Sequence, residues 1–196
     1  MKTLARSTAT ALLFPLLTGF APATRAMEPA ALLPVPMLDL NRYQGHWYQV
    51  AYVPNRYQRD CQGNATADYT LLDHGRVQVV NSCRTADGGT LTAEGLARPQ
   101  REWVMGIPAG EALGPARLEV RFAPGWLSWA PWVWSSYWVI QLADDYRYAV
   151  VGEPQREYLW VLSRTPTLPP EDMATIRRRL REQGYDTDKL VDTPPS

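Results

Sequence analysis

The sequence has no excess of charge of either sign. Its 20 basic and 20 acidic residues cancel, and the only dense basic run is the arginines at 177–179 and 181. A clustered basic surface is the usual footprint of phosphate binding, so nucleic acid is excluded as a partner; the run reads as the solvated face of a helix. Histidine and cysteine are equally scarce, at two each. Cys61 and Cys83, with only His46 and His74 to join them, make a poor metal site. No glycine-rich phosphate loop is present, no serine sits on a nucleophile elbow, and neither histidine stands in a catalytic motif. No catalytic residue, metal or cofactor is therefore assigned, and the chain reads as a non-enzyme.

Long apolar runs are also missing. "ATALLFPLLTGFA" is too short to span a bilayer comfortably. It follows Lys2 and Arg6 and precedes the small residues of "APATRA", which is the layout of an export leader over residues 1–26. No cysteine stands near it to accept a lipid. The expectation is an exported chain in the periplasm or cell envelope without a lipid anchor, with secretion as the alternative. Export places the two cysteines in an oxidising compartment, which favours a Cys61–Cys83 disulfide contributing on the order of 3 kcal/mol.

What the chain has in abundance is tryptophan, eight residues, four of them within "GWLSWAPWVW" at 125–134. Pro131 and the serines interrupt this stretch, so it is not a spanning helix. Tryptophans at 126, 129, 132 and 134 fit neither a strand's period of two nor a helical stripe, and Pro124 and Pro131 break regular structure. The stretch reads as a loop.

Elsewhere alternation dominates. Period-two stretches occupy 46–53, 65–72, 76–82, 90–98, 116–122, 137–143, 147–153 and 158–164. Eight strands at regular spacing with no helix between them predict an all-β antiparallel meander, as a sandwich or a closed barrel. One helix is predicted in "TLPPEDMATIRRRLREQG", with prolines first, acids early, arginines late and Gly184 as a stop. Its stripe of Met173, Ile176 and Leu180 should lie outside the sheet, against the strand "WVIQL". A short strand over 189–192 should follow. Residues 27–37 are proline-rich and extended, and the domain proper is assigned to 38–193. Eight strands suit a barrel holding one small ligand, and small residues at 65, 67, 93, 95 and 97 would keep its interior open. Alternation alone does not separate a hollow barrel from a packed one.

Three short motifs narrow the fold. Gly45 and Trp47 stand in "LNRYQGHWYQVA", Asp145 and Tyr146 in "DDYRYAVV", and Arg164 ends "YLWVLSRTP". In that order they resemble the lipocalin family over roughly residues 38–193. The bacterial branch with its outer-membrane lipocalins is most similar, beside plant temperature-induced lipocalins and apolipoprotein D. The resemblance implies an eight-stranded up-and-down β-barrel with the C-terminal helix packed outside. It implies a closed end plugged by Trp47, with the Arg164 guanidinium across its ring. The chain departs from outer-membrane members in lacking a lipidation cysteine and in its longer tryptophan-rich loop. In that topology the loop lies at the open end, so Trp126, Trp129, Trp132 and Trp134 are expected as an exposed rim, the alternative being a loop that folds inward as a lid or packs on its neighbours.

With Trp47 inward, parity assigns the ligand-facing wall to Gln49, Ala51, Ala67, Tyr69, Val79, Asn81, Val120, Phe122, Val139, Gln141, Tyr158 and Trp160. Inward hydrophobes are core by default, so packing remains the competing reading of each. The expected function is to bind, store or carry a hydrophobic small molecule or lipid, such as a fatty acid or lysophospholipid. A membrane surface would be met peripherally, and the oligomeric state is open between monomer and homodimer. The alternative is a surface-interaction protein whose tryptophan loop grips a protein partner.

Overall fold

A computed structural model describes residues 31–104 and 107–194; the predicted leader, 1–26, and residues 27–30 lie outside them. A one-turn helix α1 (Leu40–Tyr43) is capped by the Asp39 side chain, which accepts the Asn41 N–H. Four strands follow: β1 (Gly45–Tyr52), β2 (Gly63–Leu71), β3 (Val77–Arg84) and β4 (Thr90–Pro99). A separate hairpin pairs β5 (Arg101–Val104) with β6 (Ile107–Ala112). Next come β7 (Arg117–Arg121), β8 (Ser135–Leu142), β9 (Tyr148–Gly152) and β10 (Leu159–Ser163). Helix α2 (Pro170–Glu182) and a short strand β11 (Val191–Asp192) complete the chain.

The main sheet runs β10-β9-β8-β7-β4-β3-β2-β1-β11, every neighbour antiparallel, and β1 also pairs with β10. Eight strands therefore close into a barrel, and β11 lies outside the closed set. All eight predicted strands are present. The β5–β6 hairpin was not expected, because Gly106, Pro108 and Gly110 break its alternation.

Apolar side chains bury in two layers. Inside the barrel, Trp47, Tyr69, Val79, Val139 and Leu162 pack together. Between barrel and α2, Ile140, Val150, Leu159 and Val161 meet Ile176 and Leu180. Ile176 and Leu180 are completely buried, each contributing roughly 1.5–3 kcal/mol. Arg147 donates to both Asp172 carboxylate oxygens, at 2.6 and 2.8 Å, and pins the first turn of α2 to the β8–β9 turn. This charge-assisted pair holds the Asp172 carboxyl below the usual carboxylate range.

Two β-bulges sit where the barrel wall meets α2. On β1, Gln49 pairs with Leu162 and Ala51 with Val161, leaving Val50 as the extra residue. On β8, Val139 pairs with Val151 and Gln141 with Val150, leaving Ile140 extra. A bulge places two successive residues on one face and reverses the parity beyond it.

β1 pairs with β2 only in its closed-end half, from Gly45 to Tyr48. Past that point β11 takes over, with Ala51 opposite Asp192 and Tyr52 opposite Val191. Thr193 N–H donates to Val50 O and Asn64 N–H to Pro194 O, so the C-terminal segment fills the slit between the first two strands. Gly63 adopts φ +151° there, and a β-carbon would lie 2.8 Å from Pro194 O.

Candidate ligand-binding site

The barrel holds a cavity of about 700 Å³ that opens between the loops after β1, β3, β7 and β9. Its size falls in the range of small-molecule pockets. Small side chains keep it open: Ala65 and Ala67 from β2 and Ala93 from β4 line it. At Gly95 the Phe122 ring lies against bare backbone, and a β-carbon would sit 2.8 Å from it.

Nine of the twelve residues expected to face a ligand line this cavity: Gln49, Ala67, Tyr69, Val79, Asn81, Val120, Phe122, Tyr158 and Trp160. Three do not. Ala51 lies past the β1 bulge and packs in the layer under α2. Gln141 lies past the β8 bulge, and its Nε2 donates to Ile176 O and Gln183 Oε1, at 3.4 and 2.9 Å, on the helix side. Val139 points inward but is fully buried in the packed core without lining the cavity. Bulges without glycine leave no mark on an alternating sequence, so the parity count could not see them.

At the closed end the motif residues interlock. Trp47 is fully buried and its Nε1 donates to Tyr43 O at 2.8 Å. Arg164 stacks 3.7 Å above its ring. Gly45 has φ +94°, a conformation that favours glycine, and a β-carbon there would meet Arg164 Nη1 at 3.5 Å. Tyr146, at φ 65°, accepts the Asp39 N–H on its hydroxyl, while Asp145 accepts from the Arg147 main-chain and side-chain N–H groups. His46 faces outward and pairs with Asp68 at 2.7 Å.

Three tyrosines that the sequence reading did not single out as a group form the cavity floor. Tyr137 Oη lies 2.8 Å from Tyr43 Oη and 2.9 Å from Tyr69 Oη. Tyr69 and Tyr137 line the cavity. Tyr43 sits behind, its ring stacked 5.5 Å from that of Tyr69. Burial pushes the Tyr69 phenol up to about 12, and Tyr43 and Tyr137 well above their ordinary value. Tyr137 shares parity with Val139, which was the available signal; nothing in the sequence brings Tyr43 to it.

Polar groups nearer the mouth are largely committed to one another. Gln58 donates to Gln49 at 2.7 Å and accepts from Trp160 Nε1 at 2.8 Å and from Asn55 at 3.1 Å. Gln49 donates in turn to Thr193. Glu153 accepts the main-chain N–H groups of Gln155, Glu157 and Tyr158. No Lys, Arg or His is among the described residues lining the cavity. The Cys61–Cys83 disulfide, with Cα atoms 5.6 Å apart, ties the β1–β2 loop to the end of β3, and both cysteines line the cavity.

The tryptophan loop divides. Trp126, Trp129 and Trp132 are 73, 66 and 73 % exposed, and the rings of Trp129 and Trp132 meet edge to face. Trp134, expected in the same exposed rim, is half-buried. The Arg98 guanidinium stacks 3.7 Å from its ring centroid, Arg121 lies 5.3 Å away, and its Nε1 donates to Ser128 O. Single 3-10 turns at Gly125–Leu127 and Pro131–Val133 shape the loop.

Comparison with known proteins agrees with this geometry. The profile described as a lipocalin-like domain matches residues 38–195. Temperature-induced lipocalin-1 of Arabidopsis thaliana is 35% identical over 160 residues, covering 81% of this chain and 80% of that one. Outer membrane lipoprotein Blc of Escherichia coli (strain K12) is 33% identical over 164 residues, covering 83% and 82%. Among solved structures, insecticyanin from the tobacco hornworm Manduca sexta superimposes with a TM-score of 0.62 at 20% identity, over 86% of this chain and 87% of that one.

Proposed function

The chain belongs to the lipocalin family, and from that premise we propose that it is an exported carrier of a small hydrophobic ligand. The ligand class is a fatty acid, a lysophospholipid or a similar membrane-derived lipid. The observation that supports this is the open cavity of about 700 Å³, walled by aliphatic and aromatic groups, with its mouth-side amides bonded to each other. An apolar chain entering it displaces water from surface that has few unmet polar demands.

Three exposed indoles beside the mouth support a second element of the reading, peripheral contact with the donor membrane. Contiguous exposed aromatic surface is uncommon on soluble monomers, and indole favours the membrane–water interface. Residues 1–26 would be removed during export.

The test has two arms. Solvent extraction of the purified protein followed by mass spectrometry should recover a bound lipid, and the emptied protein should bind heptadecanoate. Protein that carries no lipid and binds neither heptadecanoate nor a neutral chain of the same length would refute the carrier. In the second arm, Trp126→Ser with Trp129→Ser should preserve the fold and slow lipid uptake from phosphatidylglycerol vesicles. Uptake at the parent's rate, with the same vesicle-induced shift in tryptophan emission, would remove membrane contact and leave a protein partner as the use of the loop.

A further inference from the structure

We propose that Tyr69 and Tyr137, anchored by Tyr43, form a hydrogen-bond-donating floor that receives the neutral oxygen of an oxygenated lipid (a ketone, ester or alcohol) bound oxygen-end first. The proposal rests on the carrier reading and adds to it the chemistry and direction of the ligand.

Three phenols bring three protons, and two O···O contacts, at 2.8 and 2.9 Å, consume two of them. Whichever way the donors point, one O–H is left over. The structure gives these oxygens no further hydrogen-bond partner among the described residues. A chain of donation from Tyr43 to Tyr137 to Tyr69 leaves the spare proton on Tyr69. Two donations converging on Tyr137 leave it on Tyr137. The reverse chain, from Tyr69 to Tyr137 to Tyr43, leaves it on Tyr43, behind the floor. The first two arrangements turn the proton to residues that line the cavity, and an acceptor bound there selects them. Buried donors are nearly always paired, so this one marks a place for an acceptor.

A carboxylate or phosphate at the floor would be buried without a counter-charge, since the lining contains no Lys, Arg or His among the described residues. Arg164, stacked on the Trp47 ring, already donates to four main-chain carbonyls. Glu153, the one acid in the lining, is occupied by three N–H groups. A neutral oxygen asks only for the proton that is spare. Because burial keeps all three phenols protonated, the donor persists across physiological pH.

The experiment compares three probes of equal chain length, heptadecane, heptadecan-2-one and heptadecanoate, delivered from cyclodextrin to emptied protein and followed by tryptophan fluorescence. The parent should bind the ketone about tenfold more tightly than the alkane, the scale of one net hydrogen bond. Tyr69→Phe with Tyr137→Phe should abolish that preference. Tyr185 packs in the layer between barrel and α2, its hydroxyl bonded to the Glu153 main chain, and Tyr185→Phe should leave the preference unchanged. Without any variant, the carbonyl stretch of the bound ketone should move to lower frequency than in hexane. Equal affinity for ketone and alkane in the parent, an unshifted carbonyl, or a preference that survives the double variant would each overturn the floor while leaving the carrier reading intact. Failure of all three probes to bind would overturn both.

Discussion

The Arg164 guanidinium stands 3.7 Å from the centroid of the Trp47 ring, and its two terminal nitrogens donate to the carbonyls of Arg42, Tyr43, Gln44 and His46. One side chain at the end of β10 thereby satisfies the backbone of the whole α1–β1 corner and covers the indole that plugs the barrel. Its planar, multiply donating head suits this task in a way that an ammonium does not.

Trp47→Ala should cost about 3–5 kcal/mol, as the loss of a fully buried aromatic does. Arg164→Lys should also lower stability, since one ammonium cannot serve four carbonyls and cover a ring. Urea denaturation measures both, and an unchanged midpoint in either variant would contradict the arrangement described.

The disulfide closes a 22-residue separation. Reduction should lower stability by roughly 3 kcal/mol, chiefly through the unfolded chain. Thiol titration of the unfolded, unreduced protein should find no free cysteine. Two titratable thiols would show that the pair does not form in the protein as isolated.

The buried tyrosines should give an alkaline signature. Burial pushes the Tyr69 and Tyr185 phenols up to about 12 and those of Tyr43 and Tyr137 well above their ordinary value, whereas unfolded phenols titrate near 10. A raised folded value favours the protonated state, so this contribution to stability is complete below pH about 10 and is lost as pH rises through about 12. Tyrosinate absorbance should show a group of phenols ionising late in the folded protein and near 10 in urea. A single step near 10 in both states would refute their burial.

The bulges separate two alanines that simple alternation treats alike. Ala67→Leu adds bulk to the cavity and should weaken lipid binding while leaving the melting temperature nearly unchanged. Ala51→Leu adds bulk under α2 and should cost about 1–3 kcal/mol by overpacking while binding capacity persists. Titration calorimetry and thermal melts distinguish the two, and the reverse pattern would place Ala51 back inside the barrel.

Much of the architecture was legible because alternation survives wherever a strand has one buried face. The eight barrel strands, α2 and its stripe and the Trp47–Arg164 plug followed from local pattern or from the family motifs, and the disulfide from two cysteines behind an export leader. The failures have physical causes. Ala51 and Gln141 were misplaced because a bulge costs one residue of register and needs no special amino acid. Trp134 was grouped with its neighbours in sequence, but its indole is held by Arg98 and Arg121 from strands β4 and β7, a relationship visible only once strands are paired. The tyrosine floor is non-local in the same sense, joining α1, β2 and β8.

The barrel is closed by its first strand meeting its last, with β1 paired to β10 and its remaining edge sealed by β11. Such long-range pairing is slow to form, because loop entropy is spent before the contacts return it. For a chain that emerges from its N-terminus, the ligand space is therefore the last part of the molecule to come into being. A nascent barrel lacking its final staves is an open, twisted sheet with an apolar face and a free edge, the form most exposed to aggregation. Holding such a sheet apart until its last strands arrive is work for whatever escorts the chain, and the finished cavity records that the whole length has been delivered.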